Sequence, residues 1–249
     1  LQVPHSFQAD QATRRALAAT LLRQNAGLLV ARRPSGPVHR LLADTWRPGD
    51  EGFAELVRAA LVLCADHELN VSAFAARVVA STGAHLHATV CAGLSALAGP
   101  RHGGATARVY ALLEDARQSR DVQRLILARW RQGEDLPGFG HALYPDGDPR
   151  ATELMAMLRQ QPLPPATIEL LDSVVAAAEQ ASERRPNVDF MLGAICFAYG
   201  LPAAPALSIF AAGRLAGWLA HVLEQQALGR LIRPRASYTG LPPETTPDD

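Results

Sequence analysis

An all-α fold is predicted for this chain, and three observations predict it. Apolar residues recur with a helical period nearly throughout, no convincing series of alternating strands interrupts them, and Pro and Gly punctuate the intervals where helices should end. In chain order, residues 1 to 50 read as weaker helix with Pro-rich breaks. Phe53, Leu56, Val57, Ala60, Leu61 and Cys64 follow i, i+3, i+4, i+7, i+8, i+11, one face of a helix. Ala80 to Gly99, rich in Ala, Gly and Ser, reads as one helix at a crowded centre or a subunit interface, because small residues let backbones approach closely. Thr167 to Ala181 follows a Pro-Pro pair and carries Ile168, Leu171, Val175 and Ala178 on one side. Asp189 to Tyr199 and Leu207 to Leu223 read similarly, the second with Gly229 as its stop. Helix ends are marked at Gly99-Pro100, Pro137-Gly138, Pro149, Pro162 to Pro165, Pro186 and Pro202, and the residues after Tyr238 read as a surface tail.

Composition narrows the function classes. The 249 residues are 48% hydrophobic and 19% charged, which suits a globular protein with one large core or two lobes. Lys+Arg 24 against Asp+Glu 24 gives no net charge, so no general attraction to nucleic acid or anionic membrane is implied. All of the basic side chains are Arg, since the sequence contains no Lys. That removes Schiff-base, pyridoxal-phosphate and Walker A lysine chemistry and leaves Arg, His and backbone N–H for any anion site. Cys64, Cys91 and Cys196 each sit in an apolar run and read as buried thiols of a reducing compartment. No apolar run approaches the roughly 20 residues that span a bilayer, the N-terminus has no signal-peptide core, and a cytoplasmic location is expected. The first residue is Leu rather than Met, so a segment upstream is expected.

Four clusters at helix boundaries carry candidate chemistry. They are ADHELN with His67, Glu68 and Asn70; GPRHGGA with His102; LPGFGHALYPDGDPR with His141 and Arg150; and RRPNVDF with Asp189 just inside a helix. His67 has Val71 four residues on, so this is no zinc helix. Glycines around His102 and His141 permit unusual backbone and close ligand approach. His85 and His87 stand two apart, which on a helix turns them away from each other, and no metal site is expected. Glu114-Asp115 reads as a solvated helix face, and no CxxC or GxSxG is present. A His–His–Asp set without a Ser or Cys nucleophile points to proton chemistry. A tuned carboxylate removes a proton beside a carbonyl, and imidazoles donate to the oxygen where enolate charge develops. Arg150, Arg214 and Arg233 are then available for carboxylates, which suggests carbon–carbon bond chemistry on a polycarboxylate.

In this order the clusters resemble the citrate synthase family. The matching pieces are DHELNVS (66–72), GLSALAGPRHGGA (93–105), PGFGH with DPRA (137–151), PNVDF (186–190), and GRLAGWLAHVLEQ with RLIRPRASYTG (213–240). The resemblance implies a two-domain helical fold with the site in the cleft. Its large domain would come from residues 1–106 and 206–249, lacking some N-terminal helices, and its small domain from 107–205. It implies a homodimer that condenses acetyl-CoA, or another short acyl-CoA, with oxaloacetate, with no tightly bound cofactor and no metal. By motif, Asp189 resembles the base and His102 the residue that stabilises the enol or enolate. His141 resembles the donor to the oxaloacetate carbonyl. His67, Arg150 and Arg214 resemble carboxylate contacts, Arg233 the arginine reaching the neighbouring subunit's site, and Asn70 a supporting residue.

Three departures accompany the resemblance: a short chain, Thr106 in place of the family's Asn, and ALYPDG between His141 and Asp148. Pro145 stands there where family enzymes commonly place a basic residue facing the CoA phosphates. The same residues suit 2-methylcitrate synthesis or citryl-CoA cleavage, and a paralogue that only binds citrate or oxaloacetate is the reading from another class.

Overall fold

The structure, a computed structural model, describes residues 10–240, and among these there are helices but no strands. Eleven helices follow one another: α1 (Gln11–Leu29), α2 (Val38–Trp46), α3 (Glu51–Cys64), α4 (Val71–Ser81), α5 (Leu86–Leu97), α6 (Ala105–Gln118), α7 (Val122–Arg131), α8 (Pro149–Arg159), α9 (Pro165–Ser182), α10 (Val188–Ala198) and α11 (Ala204–Leu228). The starts are set by side-chain caps that satisfy first-turn N–H groups: Asp50 for α3, Asn70 for α4, Asp148 for α8 and Asn187 for α10. Helix α11 ends at Gly229, whose φ of 61° is the left-handed stop that glycine accommodates without strain.

α11 is the central element. It packs on α1, α3, α4 and α5, and also touches α6 and α10. Helices α6 to α10 pack largely among themselves, α6 with α10, α7 with α9, and α8 with α10, while α3 meets α8 across the junction. The α3 face built from Phe53, Leu56, Val57, Ala60 and Cys64 is buried as its period requires.

Four expectations are corrected. Ala80 to Gly99 is not one helix but the last two residues of α4, a turn and α5, because the chain turns at Gly83 (φ 82°) and restarts at Leu86. His85 is therefore outside the helix as the α5 N-cap, with Nδ1 accepting from Ala88 N–H. Its ring lies 5.8 Å from that of His87 instead of facing away. Cys91 is exposed, whereas Cys64 and Cys196 are buried free thiols. One helix among the described residues, α11, does have the length and composition to cross a membrane. Its most apolar window is 67% buried, which is how a core helix of this kind is accommodated. Residues 10–50 are also more helical than expected, since α1 runs 19 residues, and residues 1–9 and 241–249 lie outside the described part.

Candidate active site

Two loops that are far apart in sequence are held as one unit. Gly140 N–H donates to the Arg185 carbonyl (2.8 Å), Asn187 N–H to the Gly138 carbonyl (2.8 Å), and Asn187 Nδ2 to the Gly140 carbonyl (2.9 Å). These bonds fix the turn that carries His141 against the start of α10, which carries Asp189. The turn requires glycine at Gly138, where φ is 82° and a Cβ would stand 2.8 Å from Phe190 Cα. Asn187 Oδ1 then caps α10 by accepting from Asp189 and Phe190 N–H.

Asp148 joins this unit to α8. Its fully buried carboxylate accepts from Arg150 Nε (2.9 Å), Arg150 Nη2 (2.7 Å) and Val188 N–H (3.0 Å). Burial alone would raise the Asp148 pKa, but the Arg150 hydrogen bonds and charge outweigh it and hold the carboxyl below its ordinary range. The same pairing keeps Arg150 firmly charged despite its own burial. Arg150 is thus pre-aligned by an internal partner, and Asp148 is a positioning residue.

Arg214, 2% exposed, donates from Nε to the Cys64 carbonyl (2.7 Å), which leaves its Nη groups for a ligand. Burial lowers its pKa. Asp189 is half-buried among these cations, and its carboxylate has no hydrogen-bond partner among the described residues. Desolvation pushes its pKa up to about 6, against the opposing pull of Arg150 and Arg214. A carboxylate kept short of both water and partners is a stronger base than one in solution.

The histidines converge here. The His67 and His141 rings meet edge to face at 4.8 Å. Burial, with Arg150, His141 and Arg214 adding to it, depresses His67 to about 4, and burial and Arg150 likewise lower His141. His141 Nδ1 accepts from Leu143 N–H (3.1 Å), so the neutral ring carries its proton on Nε2. His102 is also lowered, by burial and then Arg214, and its Nε2 lies 2.8 Å from Ser72 Oγ. Ser72 is buried, accepts from Trp218 Nε1 (3.0 Å), and has two acceptors for its one proton, Asn70 Oδ1 (2.9 Å) and His102 Nε2. Asn70 therefore caps α4 and also orders the serine that orients His102.

The fold brings His67, His102, His141, Arg150, Asp189 and Arg214 together. Arg233 is not joined to them within the chain: it is exposed on the segment after α11, which is tied back by Ile232 N–H to Ser81 Oγ (3.0 Å). Ser72, Asp148 and Tyr144 are participants that the sequence reading missed. Pro145 and Asp146 are exposed, yet the loop is not without positive charge. Arg184 packs on Gly140, and Arg185 packs on Gly147 and donates to the Asp146 carbonyl (2.9 Å).

Fold and site together define an all-α protein that gathers a desolvated acid, three imidazoles held neutral by burial and two buried guanidiniums. Residues 6–235 match the family described as citrate synthase, C-terminal domain, and the chain belongs to the citrate synthase family. It is 40% identical over 195 residues to a citrate synthase of Haloferax volcanii, covering 77% of this chain and 52% of that one. It is 38% identical over 189 residues to citrate synthase 2 of Bacillus subtilis, covering 75% and 51%. The chain thus spans about half the length of the curated relatives it matches. Among solved structures it is similar to the Thermoplasma acidophilum citrate synthase in ternary complex with carboxymethyl coenzyme A and oxaloacetate. That match has a TM-score of 0.77 at 26% identity and covers 95% of this chain and 69% of that one. The citryl-CoA lyase of Hydrogenobacter thermophilus matches with a TM-score of 0.72 at 28% identity, covering 84% and 86%.

Proposed function

We propose that this chain carries the chemistry of a citrate synthase-like acyltransferase, condensing acetyl-CoA or another short acyl-CoA with oxaloacetate. The observation that carries the reading is Asp189, an unbonded carboxylate that burial pushes up to about 6, among the same Arg150 and Arg214 charges that act on neutral His141 and His102. Asp189 takes a proton from the carbon next to the thioester carbonyl (the methyl group of acetyl-CoA), and His102 donates to the enolate oxygen that forms. For this the Ser72 proton turns to His102 Nε2, which leaves the ring proton on Nδ1. The enolate carbon attacks the oxaloacetate carbonyl, whose oxygen takes the His141 Nε2 proton. Water then hydrolyses the thioester, releasing citrate and CoA.

Arg150, Arg214 and His67 hold the carboxylates in this reading. Arg184 and Arg185 supply the positive charge toward the CoA phosphates that Pro145 does not. The separate packing of α6 to α10 supports a small domain at 107–205 that closes on the remainder, 1–106 and 206–249, the induced-fit arrangement. A homodimer is supported by exposed His87, Cys91, Ser95 and Ala98 along one side of α5, next to exposed Val71 and Phe74 on α4. In that dimer Arg233 enters the partner's site. The buried free thiols Cys64 and Cys196 suit a cytoplasmic setting.

A thiol-release assay with oxaloacetate and either acetyl-CoA or propionyl-CoA tests the reading and ranks the acyl groups. Oxaloacetate-dependent CoA release is the expected result. Release from neither substrate sinks the synthase, and cleavage of citryl-CoA in its place reassigns the same residues to a lyase.

A further inference from the structure

Tyr144 stands against His67, His141 and Arg150, and the motifs give it no role. Its hydroxyl lies 3.2 Å from His67 Nε2. Its ring centroid is 5.4 Å from that of His67 and 5.0 Å from that of His141, and the Arg150 guanidinium sits over its face at 5.6 Å. One phenol therefore touches three of the groups assigned to oxaloacetate. Its backbone is tied down, with Tyr144 N–H donating to the His141 carbonyl (3.2 Å) and Gly147 N–H to the Tyr144 carbonyl (3.1 Å). These bonds fix the backbone from which the ring projects in the same turn that carries His141.

The polar surroundings show what the hydroxyl lacks. Arg150 is a pure donor, and the acid nearest that guanidinium, Asp148, is consumed by Arg150 and Val188 N–H. A phenol has one proton to give and two lone pairs to offer, and its partner among the described residues is a single imidazole nitrogen. If His67 donates from Nε2, the phenol proton is free for a ligand. If the phenol donates, a bound carboxylate draws that proton away, because an anionic acceptor makes the stronger bond. Either way the unfilled partner is an anionic oxygen lying between Tyr144, His67 and Arg150.

We propose that Tyr144 is a further substrate-binding residue: its hydroxyl donates to a carboxylate oxygen of the dicarboxylic 2-oxo acid, alongside His67 and Arg150. This rests on the acyltransferase reading above. Tyr144→Phe keeps the ring, its contacts with His141 and Arg150, and the backbone turn, and removes only the hydroxyl. Calorimetric titration of the full chain with oxaloacetate should show Kd rising about tenfold in Y144F, the effect of one lost hydrogen bond to a charged group. KM for oxaloacetate should rise in parallel, with kcat and KM for the acyl-CoA changing less than about threefold and Tm unchanged. A merely structural role would lower Tm and move both KM values together. Oxaloacetate binding to Y144F within twofold of wild type overturns the assignment while leaving the acyltransferase reading intact. A wild-type chain that binds no oxaloacetate overturns both.

Discussion

Replacing Asp189 with asparagine removes a charge while keeping the shape and the helix start. At pH 8 the wild-type carboxylate is ionised in both folded and unfolded states, but in the folded state it is desolvated and unbonded. Moving a carboxyl from its ordinary 3.8 to about 6 corresponds to about 3 kcal/mol of destabilisation. The sign follows from linkage. A folded-state pKa above the unfolded one means stability is fully present below pH 3.8 and is lost as pH rises through 6. D189N, neutral throughout, escapes that loss. It should be more stable than wild type by about 3 kcal/mol at pH 8, by roughly half as much at pH 5, and hardly at all at pH 3.5. At about 2–4 °C per kcal/mol for a chain of this size, thermal melts at several pH values resolve the difference. The same variant should lose CoA release by at least ~100-fold, since general-base catalysis typically contributes that much. A D189N protein no more stable than wild type at pH 8, or a gain that does not shrink on acidification, refutes the claim that desolvation makes this carboxylate a base.

Other outcomes follow from the same geometry. In wild type, kcat/KM for the acyl-CoA should fall below pH 6 as Asp189 is protonated, giving an acid limb near that value in a pH–rate profile. Ser72→Ala leaves Trp218 Nε1 and His102 Nε2 without their shared partner. A loss of about 1–3 kcal/mol in urea unfolding, with kcat falling more than KM, is the expected pair of readouts. Asp148→Asn strands the buried Arg150 charge, and chemical denaturation should report about 3–5 kcal/mol of destabilisation with weakened oxaloacetate binding. Gly138→Ala forces a side chain into the left-handed region against Phe190, and a lower Tm together with lost activity should accompany it.

Much of this fold is legible in the sequence because helix periodicity and caps are local. Phe53 to Cys64 show their buried face at 3.6-residue spacing, Gly229 marks the end of α11, and Asn187 and Asp148 have the side chains that N-caps require. The α4–α5 break is less legible, since Thr82-Gly83 interrupts a stretch whose composition is otherwise uniform. The apolar length of α11 is hard to read as a single run because Gly213, Arg214 and Gly217 punctuate it, although the helix runs straight through them. Cys91 follows the general pattern of an apolar helix, but its side chain falls on a face left exposed among the described residues.

The site divides in the same way. His102, His141, Asp189, Arg150 and Arg214 lie in short motifs whose glycines and prolines are visible in the sequence. What connects them is tertiary. Ser72 meets Trp218 across 146 positions, and Tyr144 meets His67 across 77, separations that no periodicity encodes. Asp148 announces itself as a cap, but its second bond, to Val188 N–H, exists only once α10 is docked. Arg233 remains a residue of the exposed C-terminal segment, and its place in the account depends on a second copy of the chain.

The most direct test of the central claim is CoA release from acetyl-CoA, measured with and without oxaloacetate in wild type and in D189N. The account predicts oxaloacetate-dependent release by wild type and almost none by a D189N protein that is folded and still binds oxaloacetate. Release that persists in D189N, or wild type that binds oxaloacetate but releases no CoA, would contradict it.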